Sequence, residues 1–260
     1  MRYWILLLAI VILAGGCTSI REGGLSVALQ ADPPNVFSKS TTLLHIDLDN
    51  RQEKQVNNVD VGLFDAGLLD GRCSQHYDRL LPFEFQTMTC SLIAPQVNNT
   101  VGTEVNSRVS FDGLFSSNHV LELMNENEYQ RLVTTGEYMQ RSQDYIYRDS
   151  TVQVEVEFSE PPPLVIRPGK KYFAYFTISN IGNGFISDIN PDDFVITSDG
   201  ILECPPQTMM SPSGTFFPRV ACEIYVSPEY LARGARSSDI AITLKYRYEL
   251  RNSLRIDVIA

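Results

Sequence analysis

Two cysteine pairs with nearly equal spacing constrain this 260-residue chain more than any other feature. Cys73 and Cys90 are 17 positions apart, and Cys204 and Cys222 are 18 positions apart. A short apolar stretch ending in proline follows each pair, in Cys-Ser-Leu-Ile-Ala-Pro and in Cys-Glu-Ile-Tyr-Val-Ser-Pro. The pattern predicts a tandem repeat with one disulfide in each copy, Cys73–Cys90 and Cys204–Cys222.

Other landmarks recur at almost the same offset, which favours two copies of one domain. The offset is 129 positions from Pro33 to Pro162 and 132 positions from Cys90 to Cys222. Small loop insertions produce such a drift, and a unit that occurs only twice indicates two similar domains rather than a solenoid. The expected organisation is two domains and a linker between them, at 25–124, 151–260 and 125–150 respectively.

Apolar and polar residues alternate along several stretches, which indicates half-buried antiparallel strands. Leu44, Ile46 and Leu48 share one predicted face in the first copy, and Val152 to Phe158 alternates in the same way in the second. Many short strands in copies of about 100 residues predict an all-β protein of two tandem immunoglobulin-like β-sandwiches.

Two places are expected to separate strands from one another. In the first copy, Val109 to Phe111 and Val120 to Leu123 are predicted to be different strands. In the second copy, Asn252-Ser253 is predicted to form a turn, because both residue types favour turns,.

The linker is predicted to contain a short helix. Tyr129, Leu132 and Val133 have the i, i+3, i+4 spacing of one helix face,. Carboxylates at its start suit the helix dipole, and Gly136 is expected to end it,. We expect a linker helix packed on the first domain, with a hinge or partner-binding face as the alternative.

The N-terminal residues have the pattern of an export signal. Ile5 to Ala14 is an unbroken apolar run, shorter than the roughly 20 residues that span a membrane, and small residues follow it,. Leu-Ala-Gly-Gly-Cys resembles a lipobox ending at Cys17, although a lipobox has its leucine where Ala14 stands. We predict a signal peptide at 1–16, lipidation of Cys17 and a tether at 17–24. Ordinary cleavage or an uncleaved anchor is the alternative.

Cysteine count and charge agree with an extracytoplasmic chain anchored to the membrane. Five cysteines less the lipidated one leave an even number for disulfides,. A formal net charge of -10 argues against nucleic acid or anionic lipid as a direct partner,. Zinc is disfavoured because neither cysteine pair is Cys-x-x-Cys and no histidine pair flanks them,. We expect no cofactor.

No sequence motif nominates a catalytic residue. The chain has no G-x-S-x-G, no H-E-x-x-H and no phosphate-binding glycine loop,. Its three histidines, His45, His76 and His119, have no counterparts in the second copy, and His45 lies on the polar face of its strand. The chain is therefore expected not to be an enzyme.

The best candidate for a metal site is an acidic loop in the second copy. Asp188, Asn190, Asp192 and Asp199 imitate the first, third, fifth and twelfth positions of a calcium loop,. The sixth position is Asp193 instead of glycine, and the twelfth is not glutamate. A solvated acidic loop is therefore the favoured interpretation, and a calcium site is the alternative.

Two weaker features complete the candidate sites. Asn98 begins the glycosylation sequon Asn-Asn-Thr, in a predicted loop,. Phe115, Phe216 and Phe217 lie near predicted turns, where they either cover the open end of a sandwich or form an exposed binding patch,.

The stretch from Ile240 to Val258 contains alternating Tyr246 and Tyr248, a turn at Ser253 and a final apolar strand. With the sorting signal and the paired cysteines, it resembles tandem Ig-like domains of prokaryotic, especially archaeal, cell-surface proteins, such as the cell-adhesion-related (CARDB-like) domains. The resemblance covers most of residues 25–260 and is one of architecture. It implies a non-catalytic role in surface attachment, spacing or adhesion, and it assigns no functional residues.

The sequence as a whole therefore predicts a binding, adhesion or structural spacer module of the cell envelope. Its expected partners are a membrane, through the N-terminal anchor, and an unidentified protein or envelope component. The main alternative is an accessory subunit of a larger envelope complex or filament that assembles by strand addition. A secreted hydrolase with a noncontiguous site is the least favoured alternative.

Overall fold

The computed structural model describes residues 24–206 and 208–260, and over these ranges the protein is mostly β with one α-helix. The predicted signal peptide and Cys17 lie outside the described residues. Two short 3-10 turns occur at Pro191–Asp193 and Pro228–Leu231. The strands and the helix are β1 Leu25–Asp32, β2 Asn35–Phe37, β3 Thr41–Asn50, β4 Val56–Asp65, β5 Ser74–Leu80, β6 Phe85–Ile93, β7 Val101–Asn125, α1 Glu126–Thr135, β8 Asp144–Arg148, β9 Val152–Phe158, β10 Leu164–Ile166, β11 Tyr172–Asn180, β12 Phe185–Ile186, β13 Phe194–Ser198, β14 Leu202–Glu203, β15 Val220–Ile224 and β16 Ala235–Ile259.

The strands form three sheets. The N-terminal sheet has the order β1-β3-β6, and the C-terminal sheet has the order β14-β15-β11-β9-β8. The central sheet has the order β12-β16-β7-β4-β5, with β2 and β13 also paired to β16 and β10 paired to β7. The buried residues of all three sheets form one hydrophobic cluster. The arrangement is therefore sandwich-like, with the central sheet facing the N-terminal sheet along one half and the C-terminal sheet along the other.

A long antiparallel pair, β7 and β16, runs through both halves of the molecule. Each strand has 25 residues, and their pairing is continuous from Ala235 opposite Met124 to Val258 opposite Val101. At about 3.3 Å per residue, such strands are about 80 Å long. The end of β16 also pairs with β2, near the start of the chain. The domain boundaries at 124 and 151 stay a prediction, and the central sheet crosses both of them.

The two expected interruptions of strands are both wrong. Val109–Phe111 and Val120–Leu123 belong to the single strand β7. Asn252 and Ser253 do not form a turn, because they pair with Ser107 and Asn106 inside the β7–β16 ladder. The Asn252 side-chain amide also donates a 2.7 Å hydrogen bond to the Val27 carbonyl oxygen. Partners that are distant in sequence thus override the local turn preference.

The predicted alternation of buried and accessible residues is confirmed in the strands where it was clearest. Leu44, Ile46 and Leu48 are fully buried in β3. Every second residue of β9, from Val152 to Phe158, is buried. The inward residues of β16 continue the pattern through Ile242, Leu244, Tyr246, Tyr248 and Leu250.

The helix α1 forms where the sequence predicts it. The Asn125 side chain caps it by accepting a 2.9 Å hydrogen bond from the backbone N–H of Glu128. Gly136 ends it in the left-handed conformation, with φ of 74°, which glycine adopts without steric cost,. None of the ten helical residues is buried, and Glu126 forms a 2.8 Å ion pair with Arg167, just after β10.

Both predicted disulfides form, but they occupy different places in the fold. Cys73 lies just before β5, at the edge of the central sheet, and its partner Cys90 lies in β6, at the edge of the N-terminal sheet. Cys204 follows β14, and its partner Cys222 lies in the neighbouring strand β15 of the same sheet. Two disulfides indicate an oxidising, extracytoplasmic environment.

Candidate binding surface

One side of β7 has no neighbouring strand over part of its length. On one side, β16 pairs along the whole of β7. On the other side, β4 pairs with residues 106–112 and β10 pairs with residues 123–125. Within the described part of the chain, no strand pairs with residues 113–122 on that side. Alternate residues of a strand direct their N–H and C=O groups to the same side, so about half of these residues present unpaired main-chain groups. We call residues 113–122 the open edge.

The open edge is a gap that is closed at both ends. β4 and β10 occupy the position of the next strand on either side of it. At about 3.3 Å per residue, the gap is about 30 Å long, which suits an extended segment of about eight to ten residues. A long strand from another sheet would collide with β4 or β10. The gap therefore fits a segment that enters and leaves the sheet at its ends.

The side chains of the open edge give it one accessible face and one buried face. Leu114 and Val120 point outward and are 58% and 54% exposed. Phe115, His119 and Leu121 point inward and are buried in the core. An added strand would therefore gain main-chain hydrogen bonds together with apolar contacts on its outer face.

β4 is irregular near its start, where it borders the open edge. The β4–β7 register shifts between Asn57 and Asp60, and Asn58 adopts a left-handed conformation with φ of 50°. The polar segment 51–55 precedes β4 and does not pair with β7. Together with Ser150 and the start of the open edge, it lines an open pocket of about 680 Å³.

Beneath the open edge lies His119, enclosed by aromatic rings. Its Nδ1 is 2.7 Å from the hydroxyl oxygen of Tyr147 in β8. Its ring centroid is 4.3 Å from that of Tyr145 and 5.2 Å from that of Phe158. Its Nε2 has no hydrogen-bond partner among the described residues, and neither has the hydroxyl of Ser117 on the same strand. Burial lowers the pKa of His119 because it penalises the charged ring,.

A buried polar group connects the central sheet to the start of β9 in the C-terminal sheet, beside the Gly113 end of the open edge. The Tyr246 hydroxyl is hydrogen-bonded to the Thr151 hydroxyl, and the backbone N–H and hydroxyl of Thr151 both donate to Asp149, at 2.8 and 3.0 Å. Burial raises the pKa of Tyr246. The Tyr246 ring lies against Gly113, where a Cβ atom would overlap it. Position 113 of β7 therefore has no room for a side chain beside the Tyr246 ring.

The residues of the predicted calcium loop do not gather around one point. Asp188 and Asn190 border a groove of about 650 Å³ on the outer face of the central sheet. Asn190 uses its amide to donate a 2.8 Å hydrogen bond to Asp193, while Asp192 lies in a 3-10 turn. Asp199 lies beyond β13, which separates it from the other three. Among residues 24–206 and 208–260, no group of three or more acidic, histidine or cysteine side chains is arranged to hold a metal ion.

The three histidines lie on three different strands and do not converge. His45 in β3 is 3.1 Å from the Thr89 hydroxyl on the outer face of the N-terminal sheet. His76 in β5 is 2.8 Å from Asp60, and this hydrogen bond raises the pKa of His76 and lowers that of Asp60. His119 lies in the other half of the molecule, beneath the open edge.

The remaining sequence candidates fall in different environments. Asn98 is exposed in the loop between β6 and β7. Phe115 and Phe217 are each 4% exposed and belong to the core, whereas Phe216 is 58% exposed. Sequence reasoning did not find the open edge, because its signal is the absence of a pairing partner rather than a motif.

Comparisons with known proteins leave the family open. No family model and no curated protein matches the chain. A crystal structure of a protein of unknown function from Porphyromonas gingivalis W83 matches with 12% identity and a TM-score of 0.24. That match covers 92% of this chain and 100% of the other, and a similarity at this TM-score supports no argument about function. No helix in the described residues is long and apolar enough to cross a membrane.

Proposed function

We propose that this chain is an exported, lipid-anchored and non-catalytic protein of the cell envelope, built from two Ig-like sandwiches, that binds an extended segment of a partner. The open edge of β7 is the observation that carries the proposal. It offers unpaired main-chain groups beside two exposed apolar side chains, Leu114 and Val120. Proteins normally pair, cover or charge such edges, so a stretch without a neighbouring strand is a natural place for strand addition.

The envelope location rests on different observations. The disulfides belong to an oxidising compartment, and the apolar run before Cys17 has the composition of an export signal,. The non-catalytic role is supported by the separation of His45, His76 and His119, each of which has its own local neighbours.

The binding role can be tested in host envelopes with a photo-crosslinking amino acid in place of Asn118. Asn118 is exposed on the open edge. We expect the substituted residue to crosslink to an extended segment of one partner. The double variant Leu114→Lys, Val120→Lys should abolish the crosslink, because lysines on an edge oppose strand addition. Val195→Lys is the matched control, since Val195 is exposed on β13 at the opposite side of the central sheet. Equal crosslinking in the double variant and the control would contradict the proposal.

The closed ends of the gap also favour a second function, that of a subunit in a larger envelope assembly. A neighbouring subunit with a free extended arm would fit between β4 and β10, whereas a flat sheet edge would not. The size of the chain after release with detergent separates the two functions. A monomer favours the binding module, and a defined complex that the double variant dissociates favours the subunit.

Lipid anchoring has its own test. The chain should partition into the detergent phase, and Cys17→Ala should abolish this partition. A Cys17→Ala variant that still partitions into detergent would contradict lipid anchoring.

A further inference from the structure

The connection between β5 and β6, together with the first residue of β6, exposes three large apolar side chains. Leu81, Phe83 and Phe85 are 49%, 66% and 59% exposed. They alternate along the sequence Leu-Pro-Phe-Glu-Phe, which we call the apolar loop (residues 81–85). Single exposed apolar residues are ordinary, but three on one tight connection form a patch that indicates an interaction site.

Hydrogen bonds hold the apolar loop in its conformation, so this exposure is part of the fold. Phe83 has a φ of 60°, a left-handed conformation that bulky residues rarely adopt,. The backbone N–H of Leu81 donates a 2.6 Å hydrogen bond to the Glu84 carboxylate. The fully buried Asn50 donates from its side-chain amide to the Leu81 carbonyl oxygen at 2.8 Å, and its backbone N–H donates to the Glu84 carbonyl oxygen at 3.0 Å.

The apolar loop lies at the end of the N-terminal sheet where the described chain begins. Asn50 pairs with Leu25 on one side of β3, and its neighbour Asp49 pairs with Phe85 on the other side. Gly24 is therefore about two strand spacings, or about 10 Å, from the apolar loop. Cys17 precedes Gly24 by a stretch of chain that is at most about 25 Å long when fully extended.

We propose that the apolar loop inserts Leu81, Phe83 and Phe85 into the interfacial layer of the membrane that holds the N-terminal segment. This inference rests on the proposed function in one respect, that the chain is held at a membrane. The location of Gly24 selects a lipid surface as the occupant, because a bilayer that holds Cys17 comes within reach of the apolar loop. Aromatic and leucine side chains are the ones that enter this layer most favourably.

The charges around the apolar loop indicate what kind of lipid it needs. Exposed Arg79 and Lys54 lie nearby, but so do exposed Asp78 and Glu53, and the Glu84 carboxylate lies in the apolar loop itself. Because positive charges do not outnumber negative ones here, insertion depends on apolar contact and not on attraction to anionic headgroups. Vesicles of zwitterionic phosphatidylcholine are therefore a sufficient probe.

The test uses tryptophan fluorescence of the chain purified from a host that processes its N-terminus and reconstituted in phosphatidylcholine vesicles. Trp4, the only tryptophan, belongs to the predicted signal peptide, and Trp4→Phe gives a dark background even in chains that keep this peptide. In that background Phe83→Trp places a probe on the apolar loop. The matched control is Phe37→Trp, because Phe37 is 61% exposed on β2, which continues from the opposite end of β1.

We expect lipids brominated near the headgroup to quench the fluorescence of Phe83→Trp at least twofold more than that of Phe37→Trp. If the protein floats with the vesicles but the two variants are quenched equally, the apolar-loop proposal is overturned and membrane anchoring stays intact. Protein that does not float with the vesicles overturns both. Thermal unfolding of each variant verifies that the fold is intact, which is expected because both substituted side chains are exposed.

Discussion

At the scale of single residues, His119 is a titratable ring in a place that does not favour its charged form. Burial lowers its pKa below the ordinary value of 6.5. At a pH under about 6.5 the unfolded chain therefore binds a proton on this ring that the folded chain does not. The free energy of unfolding should fall as the pH falls through this range, and the loss should stop once the pH is below the lowered pKa.

We predict that His119→Phe removes this part of the pH dependence while keeping the ring contacts with Tyr145 and Phe158. Urea unfolding between pH 7 and pH 5 measures it. His76→Ala is a control of opposite sign, because the hydrogen bond to Asp60 raises the pKa of His76. The stabilisation from that pair is complete below about pH 6.5 and is lost as the pH rises through the raised pKa. An unchanged slope in His119→Phe would contradict the interpretation of the buried ring.

The fold also determines the identity of residue 113, which must be glycine. A Cβ at this position would overlap the ring of Tyr246, which is held by its hydrogen bond to Thr151. Gly113→Val should therefore lower the free energy of unfolding by about 1–3 kcal/mol. In Gly102→Val, on the same strand, the added atoms meet the guanidinium of Arg255, which is exposed and can move aside. Equal costs for the two variants in urea unfolding would contradict this account.

At the scale of elements, the sequence predicts the identity of most strands but not their lengths. The alternation in β3 and β9 is visible because each has one buried face. The length of β16 is not predictable, because Asn252 and Ser253 have turn preferences and only their pairing with β7 makes them extended. The open edge is hidden for a related reason. Leu114 and Val120 look like ordinary strand residues, and nothing local reveals that their neighbours on one side are missing.

The two disulfides connect different kinds of neighbours, so they can be tested separately. Each closes a loop of similar length, and its removal should cost about 3 kcal/mol in the loop-entropy estimate,. Paired serine variants at Cys73 and Cys90, and at Cys204 and Cys222, should each lower the urea midpoint. Alkylation after reduction should label four cysteines of the unmodified mature chain and two in each variant. Full labelling without reductant would show that the disulfides do not form.

At the scale of the whole molecule, β7 and β16 make the two halves depend on each other. Both halves of the central sheet use the same two strands, and the buried residues form one cluster. We therefore predict a single unfolding transition. Leu44→Ala in the N-terminal sheet and Phe176→Ala in the C-terminal sheet should each lower the same transition, by about 2–5 kcal/mol,. Calorimetry with two transitions, only one of which each variant shifts, would instead favour independent domains at 25–124 and 151–260.

The shared strand pair also sets the order of events while the chain is being made. The end of β16, residues 245–259, pairs with β2 and with the first residues of β7. The N-terminal half therefore lacks these pairs until residues 245–259 have been synthesised. Contacts between residues that are far apart in sequence form slowly. Neither half can therefore be completed before β16 has emerged from the ribosome. Until then the chain is incompletely folded, which is the state that a translocation channel accepts.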